Sequence, residues 1–120
     1  MPLYIDAFVL PVAKKNLKAY AALSKKAGKV FRELGAIEFR ECVGDDLNMK
    51  MGRPFPRLVK PKAGETVFFS WIMYKSRAQR DRVNAKVMKD PRMAAMCDPK
   101  AMPFDMKRMS MGGFSVMVDV

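Results

Sequence analysis

The chain contains no histidine. That absence excludes the Ser-His and Cys-His nucleophile pairs, the usual catalytic metal sites and the commonest general base near neutral pH. Any chemistry must run on carboxylates, Lys, Arg, Tyr, Cys or a bound organic group. Cysteine is scarce too: Cys42 and Cys97 stand far apart, in no metal or redox spacing, and read as small apolar residues of a reduced compartment. No apolar run approaches the about 18 to 20 residues that a membrane span needs. The first residues carry no basic segment ahead of their apolar stretch, so no secretory signal is expected. The expected location is the cytoplasm, with no membrane partner. Acidic residues number only 12 against 23 Lys and Arg, a formal charge of +11. Such an excess favours polyanions or anionic ligands, with solubility as the plain alternative.

Half of the 120 residues are hydrophobic, enough to build the core of one domain spanning 1–120. Residues 3–10 alternate with Tyr4, Asp6 and Phe8 on one face and Leu3, Ile5, Ala7 and Val9 on the other, which predicts a strand ended by Pro11. Over residues 14–34 the period changes. Leu17, Tyr20, Ala21, Ser24, Ala27, Phe31 and Leu34 form one stripe of a helix that Gly35 closes, and Gly28 inside it marks close packing. Residues 36–44 alternate again, with Ile37, Phe39, Glu41 and Val43 opposing Glu38, Arg40 and Cys42. Residues 45–64 hold three prolines, two glycines and no period, and read as a long loop.

Residues 66–74 predict a third strand, apolar on both faces: Val67, Phe69, Trp71 and Met73 against Phe68, Ile72 and Tyr74. An antiparallel sheet with helices on one side should leave a wet face. This strand has none, so a second copy of the sheet is the expected cover. Ser76 with Gln79 starts a helix running to about Lys89, Asp90 and Pro91 start a short further one, and residues 114–118 are expected as strand four. The order βαββαβ predicts an α+β, ferredoxin-like domain with a four-stranded antiparallel sheet, pairing as a dimeric α+β barrel.

Several pieces in order sharpen this. "FSWIMYKSRAQRDRVNAKVMKDPRM", then "MPFDMKRMSMGGF", with "YIDAFVLPV" and "ECVGDD" earlier, resemble a family of small bacterial proteins of unknown function typified by YbaA. The resemblance covers nearly the whole chain. It implies a dimeric α+β barrel, a superfamily that includes cofactor-independent monooxygenases, heme-degrading proteins and small-molecule binders. It implies no particular reaction, since fold does not select among these.

The residues offer four candidate sites. Asp6, if it looks into the barrel with Tyr4 and Phe8, is a carboxylate in an aromatic pocket, and burial would make it a proton acceptor; Ser70, Glu38, Arg40 or Glu41 would be its companions. The alternative is a paired structural carboxylate. Trp71 either walls a ligand or sits in the dimer interface. Asp105, Lys107 and Arg108 form either an anion clamp or a pin, with Arg108 on Asp105. The spacings Met93–Met96 and Met106–Met109 match thioether ligands for Cu(I), but twelve methionines read rather as an adaptable core and interface, so no metal and no cofactor is expected. The helix cations, including Lys25, Lys29, Arg32, Arg80 and Lys86, would serve a nucleic-acid backbone without sequence preference; the alternative is a solvated helix face. The leading functional reading is a homodimer that binds a small molecule, anionic or neutral, by the sheet or dimer seam. Any catalysis would be oxygenase- or isomerase-like, without histidine or metal.

Overall fold

Strand β1 (Tyr4–Ala13) leads through a 3-10 turn at Lys14–Asn16 into helix α1 (Leu17–Glu33) and strand β2 (Glu38–Val43) in the computed structural model, which describes residues 1–120. Helix α2 (Phe55–Val59), strand β3 (Glu65–Tyr74), helices α3 (Arg77–Lys89) and α4 (Pro91–Met96) and strand β4 (Ser110–Ser115) follow. The strands form one antiparallel sheet in the order β2-β3-β1-β4. The architecture is α+β and ferredoxin-like.

Strand alternation sorts the side chains. Tyr4, Asp6, Leu10 and Val12 of β1 and Phe68, Ser70, Ile72 and Tyr74 of β3 are buried on the helix side. The register sets Phe39, Glu41 and Val43 opposite Ile72, Ser70 and Phe68, on that same side. Val30 of α1 and Val83 and Val87 of α3 close one core cluster over Tyr4, Ile72 and Tyr74, while Tyr20 closes a second over Leu10, Val12 and Phe68.

Two strand boundaries differ from the sequence-based expectation. Strand β1 runs through Pro11 to Ala13. The ladder between β1 and β4 ends at Val9–Ser110, so Pro11 lies where β1 has become an edge, and its missing N–H costs no bond there. Strand β4 occupies Ser110–Ser115 rather than 114–118, so the double glycine lies inside the strand. Gly113 stands opposite Asp6, and the Tyr4 side chain rests over it. A Cβ at 113 would collide with the Tyr4 hydroxyl and lie 2.9 Å from its ring. Gly28 likewise lets α1 approach the sheet, since a Cβ there would lie 2.7 Å from Phe39 Cδ1. The long loop also contains α2, which its prolines did not announce.

The helix starts agree with their sequence signals. Ser76 Oγ accepts from the Gln79 N–H at 3.1 Å, while Gln79 Oε1 accepts from the Lys75 N–H at 2.6 Å. Asp90 caps α4, accepting from the Arg92 N–H at 2.9 Å, with Pro91 in the first position.

The face of the sheet away from α1 and α3 carries Ile5, Ala7 and Val9 of β1, Phe69, Trp71 and Met73 of β3, and Phe114 of β4. Phe69 is 40% and Phe114 60% exposed. Helix α2 borders this face, with the Phe55 ring 6.4 Å from that of Phe69.

Candidate functional site

Between the sheet and the helices lies a cavity of about 260 Å³, walled by Phe8, Ala27, Phe31, Phe39, Ile72 and the thioethers of Met93, Met96, Met102, Met106 and Met109. Its polar groups are Tyr20, Ser24, Arg40, Glu41 and Ser70. A larger open groove of about 750 Å³ runs between α1 and β2, bordered by Lys25, Lys29 and Arg32. Tyr20, Ser24, Phe39 and Glu41 line both spaces.

Glu41 is the centre of this arrangement. Alternation along β2 turns it to the helix side, where α1 places Tyr20 and Ser24 one turn apart. The Tyr20 hydroxyl donates to Oε1 at 3.0 Å and Oε2 at 3.2 Å, and the Ser24 hydroxyl donates to Oε2 at 2.8 Å. Burial pushes the Glu41 carboxyl above the ordinary glutamate value, and the hydroxyls of Ser24, Tyr20 and Ser70 pull it partly back. Burial, reinforced by the Glu41 charge, pushes the Tyr20 phenol up as well. No Lys or Arg forms an ion pair with Glu41, whereas the carboxylates of Asp6, Glu33, Glu65, Asp81 and Asp90 each lie against an arginine.

Asp6 takes a different position from the one expected. It faces α3, not the open side of the sheet, and does not line the cavity. Arg80 Nη1 donates to its Oδ1 at 3.0 Å, Nη2 reaches the Tyr4 hydroxyl at 3.4 Å, and the guanidinium lies 4.8 Å from the centre of the Tyr4 ring. Arg80 Nε is 2.9 Å from Asp81 Oδ1 but off the N–H direction, so that contact is an ion pair and not a hydrogen bond. Burial raises the Asp6 carboxyl; the Arg80 charge and a hydrogen bond from Asn84 oppose it. Pairing holds Asp6 against Arg80 and draws Arg80 away from the basic helix surface. Lys25, Lys29, Arg32 and Lys86 remain exposed.

The pair Asp105–Arg108 does not form. Asp105 caps a 3-10 turn by accepting from the Lys107 N–H at 3.0 Å. Arg108 reaches across to Glu65 instead, with two bonds at 2.7 and 2.9 Å, and to the Lys60 carbonyl at 3.3 Å. A planar guanidinium matched to a carboxylate is a pin, here fastening residues 106–108 to the start of β3. Neither residue lines the main cavity. Phe8 does, and Trp71 borders it, with its indole on the open face donating to Glu38 Oε2 at 3.3 Å. Tyr4 stays with Arg80. The cavity collects Met93, Met96, Met106 and Met109 as apolar walls.

The structure thus moves the focus from Asp6 to Glu41, which the sequence offers only as a companion. One signal was available: Glu41 is the lone charge on the apolar side of β2, between Phe39 and Val43.

Comparison with other proteins agrees with this architecture. The chain is 40% identical over 116 residues to the uncharacterized protein YbaA of Escherichia coli K12 and to that of Shigella flexneri, covering 97% of each chain. A solved dimeric ferredoxin-like protein from an uncultured marine organism superposes with a TM-score of 0.63 at 12% identity, over the full length of both chains. A putative antibiotic biosynthesis monooxygenase from Nitrosomonas europaea gives 0.61 at 14% identity, over 96% of this chain and 90% of that one. At such identities the two structures speak for the fold alone. Residues 3–106 match the family described as protein of unknown function DUF1428, and with YbaA so similar end to end, the chain belongs to that family.

Proposed function

We propose that the protein is a homodimer, joined through its open sheet faces, that binds a small amphipathic anion in the cavity beside Glu41. The carrying observation is the placement of Glu41: one carboxylate without a cation, held by hydroxyls, where an apolar cavity and a lysine-bordered groove share a wall. Enclosed apolar space with a few convergent polar groups is the usual form of a small-molecule site. The apolar body of the ligand fits against Phe8, Phe31, Phe39 and the methionines, and its anionic end is drawn to Lys25 and Lys29. The bare apolar face of β1, β3 and β4 supports pairing of two copies, as does the likeness to a solved chain described as dimeric.

Calorimetric titration with phenylacetate and decanoate tests the binding. The native protein is expected to bind at least one of them, with affinity reduced about tenfold or more by Ala27→Phe, which fills the cavity, and reduced again by Lys25→Ala with Lys29→Ala. Equal affinity in the native protein and in Ala27→Phe would place the ligand elsewhere.

A further inference from the structure

We infer that Glu41 is a proton-transfer residue, and that the site takes aryl-substituted 2-oxo acids or related carbonyl compounds with a weakly acidic C–H. This rests on the proposed binding of amphipathic anions in the cavity and adds a reaction to it.

Three observations carry the inference. First, Glu41 is the exception among the carboxylates turned toward the protein: Asp6 and Glu65 are each locked by an arginine, at 3.0 and 2.7 Å, and are thereby held from accepting a substrate proton. Glu41 is held by hydroxyl donors alone, with no arginine or lysine paired to it. Second, its two oxygens are unequal. Oε2 receives both Ser24 and Tyr20, while Oε1 receives the Tyr20 hydroxyl, which it shares with Oε2, and Ser70 adds a weaker pull on the carboxyl as a whole. A carboxylate oxygen has about two lone-pair sites, so Oε1 retains room for a proton. Third, Glu41 borders a cavity walled mainly by apolar side chains, which leave few other polar groups there to compete for a substrate.

The step needs no oxidant, reductant or metal. The C–H beside the substrate carbonyl gives its proton to Glu41 Oε1. The electron pair of the broken C–H bond becomes the new carbon–carbon double bond, and the carbonyl oxygen takes the negative charge. As Glu41 is neutralised, the Tyr20 hydroxyl is released from it and donates to that oxygen, as an oxyanion donor does. Glu41 then returns its proton to the enolate oxygen, giving the enol, or to carbon, restoring the ketone. Atoms and charge balance in either direction, and the carboxylate is regenerated.

Phenylpyruvate is the probe: it has an aromatic body, a carboxylate and an acidic methylene. The protein in deuterium oxide is expected to accelerate exchange of the methylene protons, read by proton NMR against buffer alone. Glu41→Gln is expected to lower that rate about 100-fold or more, as loss of a general base does, while calorimetry shows phenylpyruvate still bound within a few-fold. Tyr20→Phe should retain part of the exchange. Glu41→Asp, which shortens the arm yet keeps the charge, should fall between native and Gln, and it serves if the Gln variant does not fold. Binding without accelerated exchange, or exchange unchanged by both Glu41 variants, would overturn the inference and leave the binding site standing. Absence of binding by phenylpyruvate, phenylacetate and decanoate alike would remove both.

Discussion

Tyr20 gives its hydroxyl to both oxygens of Glu41, at 3.0 and 3.2 Å, and so couples the first turns of α1 to the middle of β2. The bond satisfies the carboxylate without neutralising it. Burial therefore still disfavours the charged form, and the Glu41 carboxyl is held above its ordinary value.

That shift has a sign. A carboxyl raised in the folded state contributes stability that is fully present below the unfolded value, about 4.3, and is lost as pH rises through the folded value. Glu41→Gln, neutral at every pH, is expected to unfold at a higher temperature than the native protein at pH 7, by about 1 kcal/mol or about 4 °C. The difference should close toward pH 4. Thermal unfolding at the two values checks it; a variant less stable than native at pH 7 would count against burial as the dominant influence on Glu41.

Burial raises the Asp6 carboxyl in the same direction, but Asp6, unlike Glu41, is the partner of an arginine. Asp6→Ala leaves Arg80 half-buried beside the Tyr4 ring with its partner gone, and is expected to cost about 3 kcal/mol in a denaturant titration. Ligand affinity at the cavity should be unchanged in the folded variant, since Asp6 does not line it. A selective loss of binding with little loss of stability would return Asp6 to the site.

Gly113→Ala is expected to cost about 1 to 3 kcal/mol, because the added methyl meets the Tyr4 hydroxyl and ring. Tyr4→Phe, which removes the hydroxyl, should cost less in the Gly113→Ala background than in the native one. A double-mutant cycle on unfolding free energies measures that coupling, and additive costs would mean that Tyr4 moves aside freely.

The assembly is read most directly from mass in solution. Light scattering on the native chain should give twice the 13.6 kDa of one copy. Phe69→Glu, at the centre of the open face, should return the single-chain mass while leaving far-ultraviolet circular dichroism intact. A native protein of single-chain mass would dispose of the open face as a dimer surface.

Periodicity and capping residues announced the four strands, the helices α1, α3 and α4, and their order, but not α2. The two-residue alternation around Tyr4, Phe39 and Ile72, the helical stripe from Leu17 to Leu34, and the caps at Ser76 and Asp90 are local signals, set by backbone geometry within a few residues. The apolar patterning of β3 on both faces announced the bare side of the sheet in the same way. Local signals did not reach the ends of β1 and β4. Pro11 is tolerated because of where β4 stops, and Gly113 belongs to a strand because of where Tyr4 lies. Nor could they pair the charges. Arg108 had Asp105 close by in the chain and chose Glu65, 43 residues away, and Arg80 chose Asp6, 74 residues away. A guanidinium takes the carboxylate whose position and burial suit it, and position is a property of the packed fold. The same packing left Glu41 with hydroxyls in place of a cation, which is why the tertiary structure, and not the sequence, decided which carboxylate stands at the candidate site.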